Sequence, residues 1–305
     1  MSTAAVLDRR EAIDSFAVAV MICLTLSWGM NGVAAKLTNT GYSPLFLAMV
    51  RSAIGCALVV LWSRWRGIRL LERDGTLVPG LVVGLLFGVE FMLIFVGLDY
   101  TSVTRSTLLV NTMPFWVLVA GHFLLGERIT VRKTAGLLLA FAGLVLVFSD
   151  RLSQPGPDAL VGDVMSLAAG LAWAATSIVI RRTRLAAVAA EKLLVYQLAV
   201  AALLAAVFLP LGGPPIRDGN ALATGALLFQ ATYIVGVTYV IWFWMVQRYP
   251  ATGLASFTVL TPIFGVLLGW LLLGEPLGMT IFLAMALIVA GLALVNRSPR
   301  KALGQ

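Results

Sequence analysis

Apolar stretches of about 20 residues, the length a helix needs to cross the hydrocarbon of a bilayer, follow one another from Phe16 to Asn296. A chain of 305 residues that is 60% hydrophobic and only 12% charged carries more apolar surface than a soluble domain of that size can bury. Its mean hydropathy is +0.96, so lipid must form part of its solvent. The expected fold is all-α: a polytopic integral membrane protein with ten transmembrane helices. The predicted spans are Phe16–Lys36, Pro44–Trp62, Leu77–Leu98, Ser102–Leu125 and Val131–Ser149, then Asp163–Ile180, Leu193–Pro210, Ala221–Gln247, Ala251–Leu273 and Gly278–Asn296. Met1 to Asp14 is polar with charges of both signs. The run after it is long enough to span, which favours a first membrane helix over a cleaved signal peptide.

The spans fall into two related sets. Shifting the first half by 148 positions puts Pro114 on Pro262, Gly121 on Gly269 and Leu124-Leu125-Gly126-Glu127 on Leu272-Leu273-Gly274-Glu275. Ala142-Gly143-Leu144 falls on Ala290-Gly291-Leu292. Such in-register matches at mixed residue types indicate an internal repeat. Residues 1–15 then form a tail, 16–149 the first five-helix repeat, 150–162 a linker, 163–296 the second repeat and 297–305 a second tail. Five is odd, so the second repeat enters the membrane from the opposite side, the inverted plan of many secondary transporters.

The charges fit this plan. With a cytoplasmic N-terminus, the inner connections carry Arg64, Arg66, Arg69 and Arg73, then Arg128, Arg132 and Lys133, then Arg181, Arg182, Arg184 and Lys192. The outer side has only Lys36, Arg151 and Arg217. Excess Lys and Arg in inner loops is the positive-inside pattern. It accounts for the net charge of +8 without a nucleic-acid partner. Both termini are expected in the cytoplasm and the outer linker outside.

Several segments resemble the EamA-type transporters of the drug/metabolite transporter superfamily. They are Ser27-Trp28-Gly29-Met30-Asn31 with Lys36, Arg51, Gly97-Leu98-Asp99-Tyr100-Thr101-Ser102, and the block Thr112-Met113-Pro114 through Gly126-Glu127-Arg128, repeated from Thr261-Pro262 to Gly274-Glu275. The resemblance runs from about Phe16 to Asn296. It implies a ten-helix carrier in the inner membrane of a bacterium that moves amino acids, metabolites or toxic organic compounds, more often outward. It does not fix the substrate, and Glu90, Arg105 and His122 match no general motif of that family.

Charge inside a bilayer is costly and is by default a functional hypothesis. At 1.5 Å of rise per residue, Asn31, Arg51, Glu90, Asn111 and Gln230 lie roughly 8 to 13 Å below the outer ends of their helices. One layer of polar side chains between the outer face and the midplane is expected to line a solute cavity. Arg51 and Glu90 could pair structurally, bind solute, or couple transport to protons through Glu90. Arg105 is shallower and could reach the outer surface or Glu90. Trp28 and Trp173 hold similar places in the first helix of each half and are cavity candidates, and Tyr233, Tyr239, Trp242, Phe243 and Trp244 crowd the eighth span. Trp242 and Trp244 lie near its inner end, where an interfacial belt is expected. Pro114 and Pro262 should kink equivalent spans and free the carbonyls of Val110 and Thr258, for gating or as static kinks satisfied by Thr112 or Thr261.

Other signals are plainer. Cys23 and Cys56 read as small apolar residues, His122 as a packing histidine, Lys36 and Asp99 as solvated anchors, and Glu127 and Glu275 as caps at turns. No His, Cys or carboxylate set has metal-ligand spacing, no P-loop points to nucleotide, and no cofactor is expected. The expected partners are the lipid bilayer and a small-molecule solute. Monomer and homodimer stay open. An intramembrane enzyme, a channel and a scaffold are the competing classes. The first lacks a nucleophile elbow or metal motif. A channel would conduct ions, and a scaffold would tolerate loss of Arg51 and Glu90.

Overall fold

The computed structural model describes residues 10–97, 100–101, 103–148, 158–273 and 280–296. Asp99, Glu275, the turn at 274–277, most of the linker, the C-terminal tail and the Lys36 side chain lie outside the described residues.

The chain runs α1 (Ser15–Gly41), α2 (Pro44–Trp65), α3 (Leu77–Gly97), α4 (Val103–Val110), α5 (Met113–Leu125) and α6 (Val131–Phe148). It continues through α7 (Ala159–Arg182), α8 (Ala190–Phe208), α9 (Ala221–Phe229), a π-helical segment (Gln230–Thr238), α10 (Tyr239–Arg248), α11 (Ala251–Phe257), α12 (Leu260–Leu273) and α13 (Thr280–Asn296). Among the described residues the only β pairing is an isolated bridge, Tyr42 to Ile216. Seven helical stretches are long and apolar enough to cross a membrane, with shorter apolar helices at Ala251–Gly265 and Phe282–Asn296. This is a multi-pass, all-helical membrane protein. Leu61, Phe123, Leu138, Leu203 and Phe282 face outward, an apolar surface that water would penalise and lipid covers.

Local chemistry sets the helix ends. Asp14 caps α1 by accepting from the Ala17 amide at 2.8 Å. Ser43 caps α2, with Pro44 in its first turn, where no amide donor is needed. Asn220 caps α9 through the Ala223 amide at 2.8 Å. Gly126, at φ 70°, ends α5 in the left-handed conformation that glycine takes without a Cβ clash.

Two predicted spans are broken rather than kinked. The stretch expected as Ser102–Leu125 is α4 and α5, and Ala251–Leu273 is α11 and α12. Each break centres on a threonine. The Thr112 amide and hydroxyl both donate to the Leu109 carbonyl, at 3.1 and 2.6 Å, and the Thr112 carbonyl accepts from the Phe115 amide at 2.9 Å. Thr258 repeats the pattern with Ala255, at 3.1 and 2.8 Å, and with the Thr261 amide at 3.0 Å. Thr258 rather than Thr261 thus serves the second break. Pro114 and Pro262 sit in the first turns beyond, where a missing N–H costs nothing. A second departure is α7, which begins at Ala159, so the end of the expected linker is already helix.

Glycines let helices touch at the backbone. A Cβ on Gly291 of α13 would come within 2.5 Å of the Gly136 carbonyl of α6, and one on Gly143 within 2.7 Å of the Ala284 carbonyl. Gly80, Gly84 and Gly88 of α3 take the Tyr196 ring, the Tyr196 carbonyl with Val200, and Ala201 with Leu204 of α8. In lipid, where no hydrophobic force pulls helices together, such close packing is the main source of association.

Residues that the charge pattern assigns to one side lie at one end of the bundle. The Arg10 amide donates to the Arg248 carbonyl at 2.9 Å, and the Tyr249 hydroxyl to Asp14 at 3.2 Å. Arg181 and Thr252 donate to Glu127 at 3.2 and 2.6 Å, and Lys192 to Asp74 at 2.7 Å. Glu127 is therefore more than a turn cap: it joins three separate stretches of chain. His122 packs as expected, its Nδ1 lying 2.9 Å from the Glu127 carbonyl oxygen. At the opposite end the Ser43 amide reaches the Pro215 carbonyl at 2.9 Å. There Asp163 accepts from the Thr101 hydroxyl at 2.7 Å and pairs with the Arg105 guanidinium, so Arg105 turns to Asp163 and not to Glu90.

Two predictions follow from this packing. Gly291→Leu should overfill the α6–α13 contact, cost about 1–3 kcal/mol, and lower the thermal unfolding midpoint in detergent. Burial would raise the Asp74 carboxyl, but hydrogen bonds from Lys192 and Thr76 outweigh it and hold Asp74 at about 2. The folded value lies below the unfolded one, near about 3.9. The stabilisation is therefore complete above pH ~4 and fades as pH falls towards 2. Asp74→Asn should flatten that part of the acid-stability curve.

Candidate functional site

Among the described residues, a buried guanidinium stands without a carboxylate within 4.0 Å. Arg51 of α2 is 2% exposed. Its Nη2 donates to the Tyr239 hydroxyl at 3.0 Å, and its Cζ lies 4.3 Å from the centre of the Phe91 ring, a cation–π contact that strengthens when water is excluded. Nη1 has no hydrogen-bond partner. Glu90 of α3 is 5% exposed, and its Oε2 is likewise unpartnered. Among the described residues no ion pair within 4.0 Å links Arg51 to Glu90. The two still sense each other and Tyr239 electrostatically. The directly bonded ion pair, one of the readings open from sequence, is not the geometry observed.

Beside this group stands a tryptophan trio. The Trp28 ring centre lies 6.3 Å from that of Trp173 and 5.4 Å from that of Trp242, with Trp173 and Trp242 6.3 Å apart, all edge to face. Trp28 also packs on Tyr239 at 6.3 Å, and its Nε1 donates to the Thr238 hydroxyl at 3.0 Å. Phe87 meets Tyr239 at 5.9 Å. Trp242 is 3% exposed and belongs to this cluster, not to the interfacial belt expected for it. Trp244 behaves as a belt residue, edge-on to Phe16 and under the Arg248 guanidinium. Tyr233 lies on the exposed flank, its hydroxyl 2.9 Å from that of Ser27.

The π-helical segment aims this array. Wider turns are uncommon and recur at functional sites. Here they end at Thr238, immediately before Tyr239. Gly55 of α2 packs directly on Val235 of the segment, which brings α2 close enough for Arg51 to reach Tyr239.

Other candidates lie elsewhere. Gln230 is fully buried and donates to the Thr38 hydroxyl at 2.8 Å. Ten residues of α1 separate Thr38 from Trp28, roughly 15 Å along the helix. Gln230 is thus well removed from the aromatic cluster. Asn111 is buried at the α4–α5 break. Asn31 is half-buried with an unpartnered Oδ1. The structure thus joins Trp28 with Trp173 and sets Arg51 with Glu90 around Tyr239, while Gln230 turns to Thr38. Sequence reading missed Gln197 of α8, fully buried with neither amide atom partnered. Its signal was a neutral amide amid an apolar helix, weaker than a charge. Cys23 is exposed and Cys56 half-buried, both unpaired.

Comparison with known proteins bears on this arrangement. An uncharacterised transporter of Bacillus subtilis, YoaV, is 27% identical over 89% of this chain and 94% of its own length. A protein of Escherichia coli named "Probable amino-acid metabolite efflux pump" is 24% identical over 94% of both chains. A solved crystal structure, 24% identical, superposes with a TM-score of 0.80 over 92% of this chain and 98% of its own, a likeness of fold. Residues 15–149 and, separately, 160–297 match the EamA-like transporter family, and the chain belongs to that family.

Proposed function

We propose that the protein is a secondary transporter that exports small organic solutes, such as amino acids, metabolites or toxic compounds, across the inner membrane of a bacterium. In this reading two inverted five-helix halves, residues 16–149 and 163–296, rock about a central site with both termini in the cytoplasm. The observation that carries it is the buried Arg51–Tyr239–Glu90 group beside Trp28, Trp173 and Trp242. Burying charge with polar atoms left unsatisfied is expensive in an apolar interior, and a solute that completes those bonds gives the cost a purpose. Aromatic walls suit apolar or cationic parts of a solute.

Matched packing supports the two-half reading. α1 packs on α12, and its counterpart α7 on α5, the counterpart of α12; α3 packs on α7, and α9 on α1. α6 packs on α13, its own counterpart. Exchange of this kind is expected of a pseudo-two-fold. The threonine-centred breaks at Thr112 and Thr258 recur in the same way and give each half a hinge beside Pro114 and Pro262. Broken helices of this kind are tolerated in membranes where they are enclosed by protein. The separate family matches of the two halves point the same way.

The test is flux from proteoliposomes loaded with the twenty amino acids and ethidium, read by mass spectrometry. Arg51→Lys keeps the charge but loses the planar fork that meets Tyr239 and stacks on Phe91. It should cut flux at least tenfold while the protein elutes as a folded species. Undiminished flux would remove Arg51 from the solute path. Proton coupling through Glu90 rests on its buried carboxyl. An imposed pH gradient should accelerate flux by the unaltered protein and not by Glu90→Gln; equal acceleration of both rules that carboxyl out as the coupling group.

A further inference from the structure

Arg51 is the eighth residue of α2, and Gln197 is the eighth residue of α8, the helices that correspond in the proposed two-half frame. Gln197 has 0% exposure, and neither its Oε1 nor its Nε2 finds a partner. A carboxamide buried without hydrogen bonds is destabilising, a cost that a neutral helix position would not retain without a use. From this residue we infer that Gln197 is a second solute-binding side chain, reading a neutral hydrogen-bonding group of the solute, a hydroxyl or carboxamide. The inference rests on the transport reading above and deepens it.

Its place in the bundle argues for this. The Gln247 Nε2 donates to the Val188 carbonyl at 2.8 Å, which fixes the level of α10 against the start of α8. Tyr239 lies eight residues before Gln247, and Gln197 nine after Val188. Tyr239 is thus roughly 12 Å along α10 from that bond and Gln197 roughly 10–11 Å along α8 from its first residue, Ala190, so Gln197 stands close to the level of Tyr239. On α3 the same level falls at Gly84, which touches the Tyr196 carbonyl; Phe87 lies about one turn and Glu90 nearly two turns further along that helix. Tyr196, Val200 and Leu204 form the face of α8 against the α3 glycines. Gln197 is one residue on, about 100° around the helix from Tyr196, and so points past α3 towards the interior that α2 and α10 also line. Its neighbours along the buried stripe, Leu193, Leu194, Leu198 and Ala201, pack into the same cluster as Phe87, Tyr239 and Trp242.

The chemistry divides accordingly. Arg51 offers a fixed guanidinium and Glu90 a carboxyl, each with an unpartnered polar atom. Gln197 offers one uncharged donor group and one acceptor. A solute hydroxyl or amide satisfies both, whereas an isosteric methyl leaves both buried and unpaired, the situation in which a polar site discriminates strongly.

The experiment compares Gln197→Met, which keeps the shape and removes both polar atoms, with Arg51→Lys and the unaltered protein. The probes are serine, threonine, valine, asparagine and leucine in proteoliposomes. Gln197→Met should unfold at an equal or higher temperature, because an unsatisfied amide has gone. It should also raise KM for threonine and asparagine at least tenfold, leave valine and leucine within twofold, and so erase any threonine-over-valine preference. Unchanged KM values and selectivity in Gln197→Met, with flux lost in Arg51→Lys, overturn this inference alone. Unchanged flux in both variants, or no probe carried by the unaltered protein, overturns the solute-site reading as well.

Discussion

A guanidinium held in an apolar interior by a phenol and a ring face is the interaction around which the rest of the molecule is arranged. Among the described residues no carboxylate lies within ion-pairing distance of the Arg51 guanidinium. Its environment must supply what water would. Tyr239 gives an acceptor oxygen, and Phe91, Phe95 and the Tyr239 ring give electron-rich faces within 6 Å. That supply is available only if three stretches of chain converge: α2 for Arg51, α3 for Phe91 and Phe95, and α10 for Tyr239. Gly55 of α2, packed on Val235, lets α2 approach the stretch that ends at Tyr239, and the glycines of α3 seat that helix on α8. Packing by small residues and the buried charge are thus one design problem.

The same logic explains where the backbone departs from regular helix. A break in hydrocarbon exposes amides and carbonyls that lipid cannot satisfy. Both breaks solve this within the chain, by a threonine that closes a tight turn with its own amide and hydroxyl. The first is also covered from outside: Gly170 of α7 brings its Cα so close to the Val110 carbonyl that a Cβ would lie 2.8 Å from that oxygen. The carbonyl that Pro114 frees is therefore shielded by a neighbouring helix. The π-helical segment is a third departure, and it too lies against a glycine, Gly55.

Legibility from sequence follows the physics of each feature. Length and apolarity are local, so the helices were readable, as were the common ends to which charge assigned their connections. The helix breaks were readable in place, through Pro114 and Pro262, but not in form. A proline says that a bond is missing; the threonine that replaces it lies two or four residues earlier, and only the fold shows which threonine serves. The correspondence of Trp28 and Trp173 was readable from their similar places in the first helix of each half; that their rings meet was not. Trp242 was misread because position near a helix end suggested an interface, whereas α10 turns that face inward. The Arg51–Tyr239 bond joins residues 188 apart in sequence, and no periodicity encodes such a pair. Depth gave the height of Gln230 on its helix; it could not show that Gln230 takes Thr38 as its partner.

What the central group lacks is as instructive as what it contains. Arg51 and Glu90 come from residues 16–149, as do the Phe91 and Phe95 rings, while Tyr239 and Trp242 come from 163–296, so in the proposed arrangement the charge and two of its ring faces lie on one half and its hydroxyl acceptor on the other. Any rocking of one half against the other must then stretch the Arg51–Tyr239 bond, the direct hydrogen bond from that guanidinium to the opposing half. The motion would leave Arg51 in need of a new acceptor at the moment the site opens. A solute anion arriving there supplies one, and its departure restores the phenol. In the proposed arrangement, binding and rearrangement would be coupled through a single donor: the state that releases Tyr239 would be stabilised only when another oxygen replaces it, the differential affinity that a population shift between two conformations requires.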